Sequence, residues 1–460
     1  MRWRFVILGL VLAAIAGALV LSRRAPRRAP RFVVQATAEG LPPRALEFLV
    51  SDLVENLGGW IPVDPPTGLP VPKGARRITL RASRQGDRLR LQALVDGRPL
   101  APFEGPPSEA FDPLLRDLGL PPSGPSLVPR EATRFWELMD LLGGPTDAPR
   151  EDLDRRAKVL VEQVPDCATP RVAWALYTTR LLVELTPPPA EAQQRCEQNM
   201  REGLQACPAH PRLTGLLATF LTDTGRQREA LDLLLEALKV HPQAPSLLAG
   251  VAYAGRTTGL LELADKALDR QAALTGLPRF HSGLADNTKL YLGDVDAFET
   301  GLPRVTVESI RVFYKGYARL LRKDPQGALA AFREAQQPIR GTAIFLRLSS
   351  VYRLALEGDQ EGALRELRAM EDQRVQVRVP DSEVTFKLAE AYGYLGQSHR
   401  ALDVMGKASV QGFGCTRWYE RSPFLAGARK LPAWPRLHQA LLERQALMEQ
   451  RYPPDLIPGP

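Results

Sequence analysis

Apolar residues fall into two different rhythms along this chain, and the change between them divides it. Leu46, Leu49, Val50, Leu53 and Leu57 lie on one face of a 3.6-residue period and predict a helix after Pro42-Pro43, stopped by Gly58-Gly59. RFVVQAT before it and WIPVD after it read as strands, and Pro65 to Pro72 as a loop. Ile78, Leu80 and Ala82 then alternate with Arg77, Thr79 and Arg81; beyond Ser83-Arg84-Gln85-Gly86-Asp87, Leu89, Leu91, Ala93 and Val95 alternate with polar residues. That is a β-hairpin with one buried face and an arginine-lined face in water. Asp96-Gly97 ends it, and Ser108 to Leu118 makes a second amphipathic helix. The predicted order over 31–120 is β-α-β-β-β-α.

Pro121, Pro122, Gly124, Pro125 and Pro129 mark a linker over 121–130, after which the period is helical throughout. Ala230 and Ala264, Pro208 and Pro242, and Gly225 and Gly259 are each 34 residues apart, so three markers share one repeat length. The unit 211–244 reads as PRLTGLLATFLTDTG followed by REALDLLLEALKVHP, with small Ala218, Ala230 and Ala237 where the helices approach. Weaker copies place Gly316, Ala328, Phe332 and Ala335, then Gly358, Ala363 and Leu367, then Ala389, Tyr392, Gly396 and Ala401 at related positions. Degenerate pairs fill 132–163, 170–207 and 280–301, giving about seven or eight pairs over 131–410.

Phe5 to Leu21 carries no charge. As a helix it reaches about 26 Å, near the lower limit for a bilayer core of roughly 30 Å, and flanking arginines add length by snorkelling. It is expected to be a single-pass anchor at 5–21, after a tail at 1–4 and before a basic, proline-rich tether at 22–30. A cleaved signal with its site at Ala14-Ile15-Ala16 or Ala16-Gly17-Ala18 is the rival reading; the apolar run continues past both. The count of arginines on either side of the span argues for a cytoplasmic body.

Charge changes the picture in one respect. Lys+Arg 60 against Asp+Glu 52 gives +8 over 460 residues, but Arg2, Arg4, Arg23, Arg24, Arg27, Arg28 and Arg31 open the chain without a carboxylate. Removing those seven leaves 53 against 52, so the folded part is close to neutral and a nucleic-acid partner loses its electrostatic basis.

The hairpin text ITLRASRQGDRLRLQALVDGRPL and the closing helix EAFDPLLRDLGL resemble the bacterial TolB-like amino-terminal domain, which implies a module set between a membrane span and a tetratricopeptide array. The 34-residue unit resembles a tetratricopeptide repeat, in which small residues permit close helix contact and large ones fill the gaps. QGFGCTRWYERSPFLAGARKLPAWPRLHQALLERQ resembles the tail closing such arrays in bacterial membrane-linked serine/threonine kinases and winged-helix regulators. Gly412-Phe413, Ser422-Pro423-Phe424-Leu425, Pro435 and the helix Leu437 to Met448 carry that likeness, as a cap over 411–451 before a tail at 452–460. The kinase or DNA-binding domain of those relatives is missing. The expected fold class is thus mostly α: a tetratricopeptide-like helix-pair superhelix, preceded by a small α+β (TolB-like) domain and an amino-terminal transmembrane helix. The resemblance implies a periplasmic body, against the arginine count.

Candidate chemistry is sparse. His210 and His241 sit in equivalent inter-repeat turns, and none of His281, His399 and His438 has metal-ligand spacing. Phosphate-loop, dinucleotide and nucleophile-elbow motifs are absent. Glu131, Asp140, Asp147, Glu151, Asp152 and Asp154 lie near helix starts, where they favour the helix dipole. Cys196 and Cys207, roughly 16 Å apart along one helix, cannot pair; Cys167 and Cys207 come to one edge, either as a disulfide or as buried thiols. The chain therefore reads as a non-enzymatic protein with no cofactor, metal or small-molecule substrate. An enzyme of unfamiliar type would instead require a deep polar pocket with perturbed carboxylates between the two domains.

Binding is what remains. The first helices of the pairs line the inner face of such a superhelix, and at helical spacing they offer Arg212, Thr219, Asp223, Tyr253, Arg256, Phe313, Tyr317, Tyr352, Phe386 and Glu390 as partner contacts, or equally as packing against neighbouring pairs. Arg77, Arg81, Arg84, Arg88 and Arg90 face either water or an anionic partner. The leading expectation is a membrane-anchored scaffold or adaptor that binds a partner protein through its groove. The alternative is the sensory or regulatory subunit of a split bacterial signalling system whose kinase or transcription factor is a separate chain.

Overall fold

A computed structural model of the chain describes residues 29–64, 70–124, 126–143, 149–183, 191–279, 286–336, 343–375 and 379–459. The expected anchor at 5–21 lies outside the described residues, and among those described no helix is long and apolar enough to cross a membrane.

The first elements are β1 (Arg31–Glu39), α1 (Pro43–Leu57), β2 (Ile61–Pro62), β3 (Arg76–Gln85), β4 (Arg88–Val95), β5 (Arg98–Pro99), β6 (Phe103–Gly105) and α2 (Asp112–Asp117). The sheet order is β2-β1-β3-β4-β5, with β6 also on β4. Helix α1 crosses over, so β1 runs parallel to both its neighbours. In the antiparallel hairpin Ile78 faces Val95, Leu80 faces Ala93 and Ala82 faces Leu91, which buries one face. Arg77, Arg81, Arg88 and Arg90 are exposed on the other. Arg84, opposite Leu89, instead stands at the end of the apolar face with its guanidinium 4.8 Å over the Trp136 ring, so the expected five-arginine face loses one member because strand parity turns it inward. The turn is tighter than expected: Arg84 pairs with Leu89 and Gln85 with Arg88, leaving Gly86-Asp87. Gly86 takes the left-handed φ of +60° that so short a connection needs.

The segment expected as a linker is packed instead. Ser123, Leu127 and Val128 are buried, and Ala168 donates its backbone N–H to Ser126 at 2.7 Å. Helix α3 (Ala132–Gly143) shares one core with the sheet module, with Phe111 and Phe135 ring centroids 6.3 Å apart. The apolar residues of that region suffice for one core across the boundary, so module and array form a continuous body.

Helix pairs follow: α3 with α4 (Arg150–Gln163), α5 (Ala168–Val183) with α6 (Ala192–Ala206), α7 (Pro211–Asp223) with α8 (Gln227–Val240), α9 (Pro245–Thr258) with α10 (Leu261–Thr275), and the short α11 (Asn287–Leu292) with α12 (Val295–Gly301). Then come α13 (Glu308–Leu321) with α14 (Pro325–Glu334), α15 (Ala343–Leu356) with α16 (Gln360–Arg374), and α17 (Ser382–Tyr394) with α18 (Ser398–Val410). Fully buried Ala230 and Ala264 hold the close contact in their pairs, and Gly225 and Gly259 make the turns at φ of +83° and +89°. These are tetratricopeptide-like pairs.

The array curls until its last pair meets its middle. Arg256 on α9 bonds Glu383 on α17 at 2.7 Å, and Gly414 donates to the carbonyl of Thr257 at 2.7 Å. The C-terminal helices α19 (Thr416–Arg421) and α20 (Trp434–Arg451) do more than cover the last pair. Tyr452 bonds Asp232 at 2.7 Å, and Tyr452 and Ile457 join the core of α7–α10. Phe413, Tyr419 and Phe424 turn inward and fill the inner face beside α13 and α17, with Phe386 4.6 Å from both Phe413 and Tyr419.

Candidate functional site

What the closing segment leaves open is a cavity of about 510 Å³ on the same inner face. It is built by the repeat itself. Arg212, Gly215, Leu216 and Thr219 make a stripe along α7, and Ser246, Ala249, Gly250 and Tyr253, each 34 residues later, make the matching stripe along α9. Ile310 and Tyr314 of α13, Phe345 of α15, and Asp381, Glu383, Val384 and Lys387 at the start of α17 complete the far side. Phe48 of α1 reaches it from the sheet module, with the Arg212 guanidinium stacked 4.3 Å over its ring. Arg212 is fixed there because Asp52, 3.2 Å away, and Glu55 are buried between α1 and the array.

Charge in the cavity is unevenly satisfied. Glu383 accepts from Arg256, Tyr291 and Asn287; burial pushes its carboxyl up, but these partners outweigh that and hold it below the ordinary value. Lys387 is paired with Glu390 at 2.8 Å and lies 4.3 Å over the Tyr317 ring. Asp223 accepts a hydrogen bond from the Tyr253 hydroxyl. Burial, then the charge of Asp381, raises Asp223 well above the carboxylate range. Asp381 caps α17 from a left-handed φ of +41°, accepting from the backbone N–H groups of Glu383 and Val384. Burial and neighbouring Glu383 raise it to about 6.

The ten residues expected at a partner surface divide evenly. Arg212, Thr219, Asp223, Tyr253 and Arg256 line the cavity. Phe313, Tyr317, Tyr352, Phe386 and Glu390 do face inward, but are wholly buried there. The closing segment covers that half: Tyr317 and Tyr352 contact Phe424, and Glu390 accepts from Trp418 and Ser422. They pack the interior and are not available to a partner. The cysteines are all free thiols, so no Cys167–Cys207 disulfide is formed. Cys167 is buried, and burial raises its pKa. Sequence reasoning missed Asn287, Asp381, Glu383 and Lys387; the signal present was a charged stripe at 383, 387 and 390 on a helix with no other charged residue. The perturbed-carboxylate pocket required of an enzyme is also present, within the array, with Phe48 as the module's share of its lining.

No protein-family model matches the chain, and no curated protein matches it. Solved structures do align. The chain of an APC/C hetero-tetramer Cut9-Hcn1 matches at a TM-score of 0.44 and 12% identity over 71% of this chain. This chain spans only 62% of that one. A human IFIT1 dimer with m7Gppp-AAAA matches at 0.33 and 15% over 74% of this chain and 76% of that one. The P58(IPK) TPR domain matches at 0.18 and 12%, over 66% of this chain and 95% of that one. At these scores none bears on what the chain does.

Proposed function

We propose that the protein is a scaffold that binds a segment of a partner protein in the inner-face cavity. The observation that carries this is the cavity itself: two repeats present equivalent stripes to it, and the cap that fills the rest of the inner face stops short of it. Apolar walls with a few placed polar groups are the usual make-up of a binding site. The raised carboxylates also suit acid–base chemistry, but among the described residues the lining offers no cysteine or histidine to act with them, and binding is the reading preferred. We further propose that residues 5–21 tether this scaffold to a bacterial inner membrane with its body periplasmic, as the likeness to the TolB-like module suggests; loss of carbonate-resistant membrane association on deleting 5–21 tests the tether.

A photo-crosslinking residue placed at Leu216 or Ala249, both at the cavity, should form adducts with a discrete polypeptide in cells. The same residue at Val410, 89% exposed, is the control. Adducts of equal yield from Val410, or none from the cavity, would overturn the reading.

A further inference from the structure

The carboxylates of the cavity are unevenly paired. Three cations and three carboxylates line it, but two of the cations are committed elsewhere: Arg212 to Asp52 and Glu55, and Lys387 to Glu390. Arg256 belongs to Glu383. Among the described residues, Asp223 and Asp381 accept from a hydroxyl and two backbone N–H groups between them. The nearby Arg374 hydrogen-bonds the Asp381 carbonyl and Thr385 rather than either carboxylate, and acts on both carboxylates through its charge alone.

A second observation points the same way. Asn287, only 5% exposed, has no partner for its Oδ1 among the described residues. Its amide cannot be turned round, because its Nδ2 donates to the Glu383 carboxylate and to the Tyr314 hydroxyl, each at 2.7 Å. The orphan atom is therefore an acceptor, and a buried acceptor left without a partner is unfavourable. Arg256 Nε, also buried, is an orphan donor in the same lining.

We propose that the cavity takes the side-chain ammonium of a lysine in a partner's peptide segment, held by Asp223 and Asp381 with Asn287 Oδ1 as the third acceptor; this rests on the cavity being the protein-binding site proposed above. An ammonium has three N–H donors and no acceptor. Its four-carbon stem suits Leu216, Leu268, Ile310 and Val384 along the walls. The orphan donor of Arg256 matches a main-chain carbonyl, which a peptide brings and a free amine does not.

The test uses the full chain in detergent and short peptide pools, acetylated and amidated at their ends, with one fixed central residue: lysine, Nε-acetyl-lysine or norleucine. Fluorescence anisotropy should show the lysine pool binding roughly tenfold or more tighter than the other two. Asp223→Asn and Asp381→Asn should abolish that preference, each variant binding the lysine pool no more tightly than it binds the norleucine pool. Asn keeps the side-chain shape, caps helices and tolerates the left-handed backbone of position 381, and melting midpoints verify folding. Equal binding of the lysine and norleucine pools, or a preference that survives both substitutions, overturns the inference and leaves the protein-binding reading standing. If no pool binds, the protein-binding reading falls and the peptide lysine with it. Stabilisation of the wild type but not Asp223→Asn by n-butylammonium would then assign the cation site to a free amine.

Discussion

Glu390 offers the sharpest test of how the closed inner face is held. It is fully buried and accepts four hydrogen bonds: from Lys387 at 2.8 Å, Tyr317 at 2.8 Å, Trp418 at 2.9 Å and Ser422 at 2.6 Å. Two of those donors belong to the closing segment, so one carboxylate ties α13, α17 and the cap together. Glu390→Gln keeps the volume and removes the charge. Lys387, 1% exposed, is then a buried ammonium without a counter-ion, for which breaking a buried pair costs about 3–5 kcal/mol. The rings of Tyr291, Tyr314, Tyr317 and Trp418 lie 4.3–6.0 Å from its Nζ and return part of this, since cation–π contacts contribute roughly 0.5–2 kcal/mol. A loss of about 3 kcal/mol is expected. Adding Lys387→Met removes the stranded charge while keeping most of the stem, and should recover about half of that loss. Urea denaturation followed by circular dichroism measures both, with the slopes checked for equality. A Glu390→Gln cost under about 1 kcal/mol, or a double variant no more stable than the single, would refute the reasoning.

Two glycines make a matched pair. A Cβ at Gly393 would stand 2.2 Å from the Phe424 carbonyl oxygen, backbone of the cap, whereas one at Gly406 meets nothing within 4 Å. Gly393→Ala should cost about 1–3 kcal/mol and speed proteolysis near 424; Gly406→Ala should gain about 0.5–1 kcal/mol in thermal unfolding. Asp381 gives a pH signature. Its folded pKa of about 6 exceeds the unfolded value of 3.8, so the folded state holds the proton more tightly and stability from this group is lost as pH rises through that window. The groups facing it are Asp223, Tyr253, Arg256, Arg374 and Glu383. The denaturation midpoint of Asp381→Asn should therefore rise relative to that of wild type between pH 4 and 6 and run parallel to it above about pH 7; a midpoint that falls relative to wild type as pH rises would contradict it. Finally, thiol titration at pH 8 should label Cys207 alone in the native protein. Cys167, Cys196 and Cys415 are buried, the last two raised to about 12 by burial, and should react only after denaturation. Intact mass should show no loss of hydrogen from a disulfide.

Local rules were enough for much of this molecule. Alternation at 78–82 and 89–95 determined the hairpin and which of its faces is buried, because side chains on a strand alternate whatever lies beyond. Markers at a spacing of 34 determined the helix pairs, since each pair needs the same small residues at its contact. They also put Arg212, Thr219 and Tyr253 of the cavity's two stripes on the inner face. Where the superhelix ends up was not legible, because curvature accumulates from many small packing angles and is invisible in any one unit. Only the tertiary structure brings α17 against α9, so that Glu383 meets Arg256 across 127 residues of chain. Only it turns Phe413, Trp418 and Phe424 inward, converting Phe313, Tyr317, Tyr352, Phe386 and Glu390 from an open groove into core. The cavity is what that closure leaves over: its two stripes were written in the repeat, but Asn287 and Asp381 joined them through long-range contact alone. Periodicity fixes which way a side chain points; what stands opposite is decided by the rest of the fold.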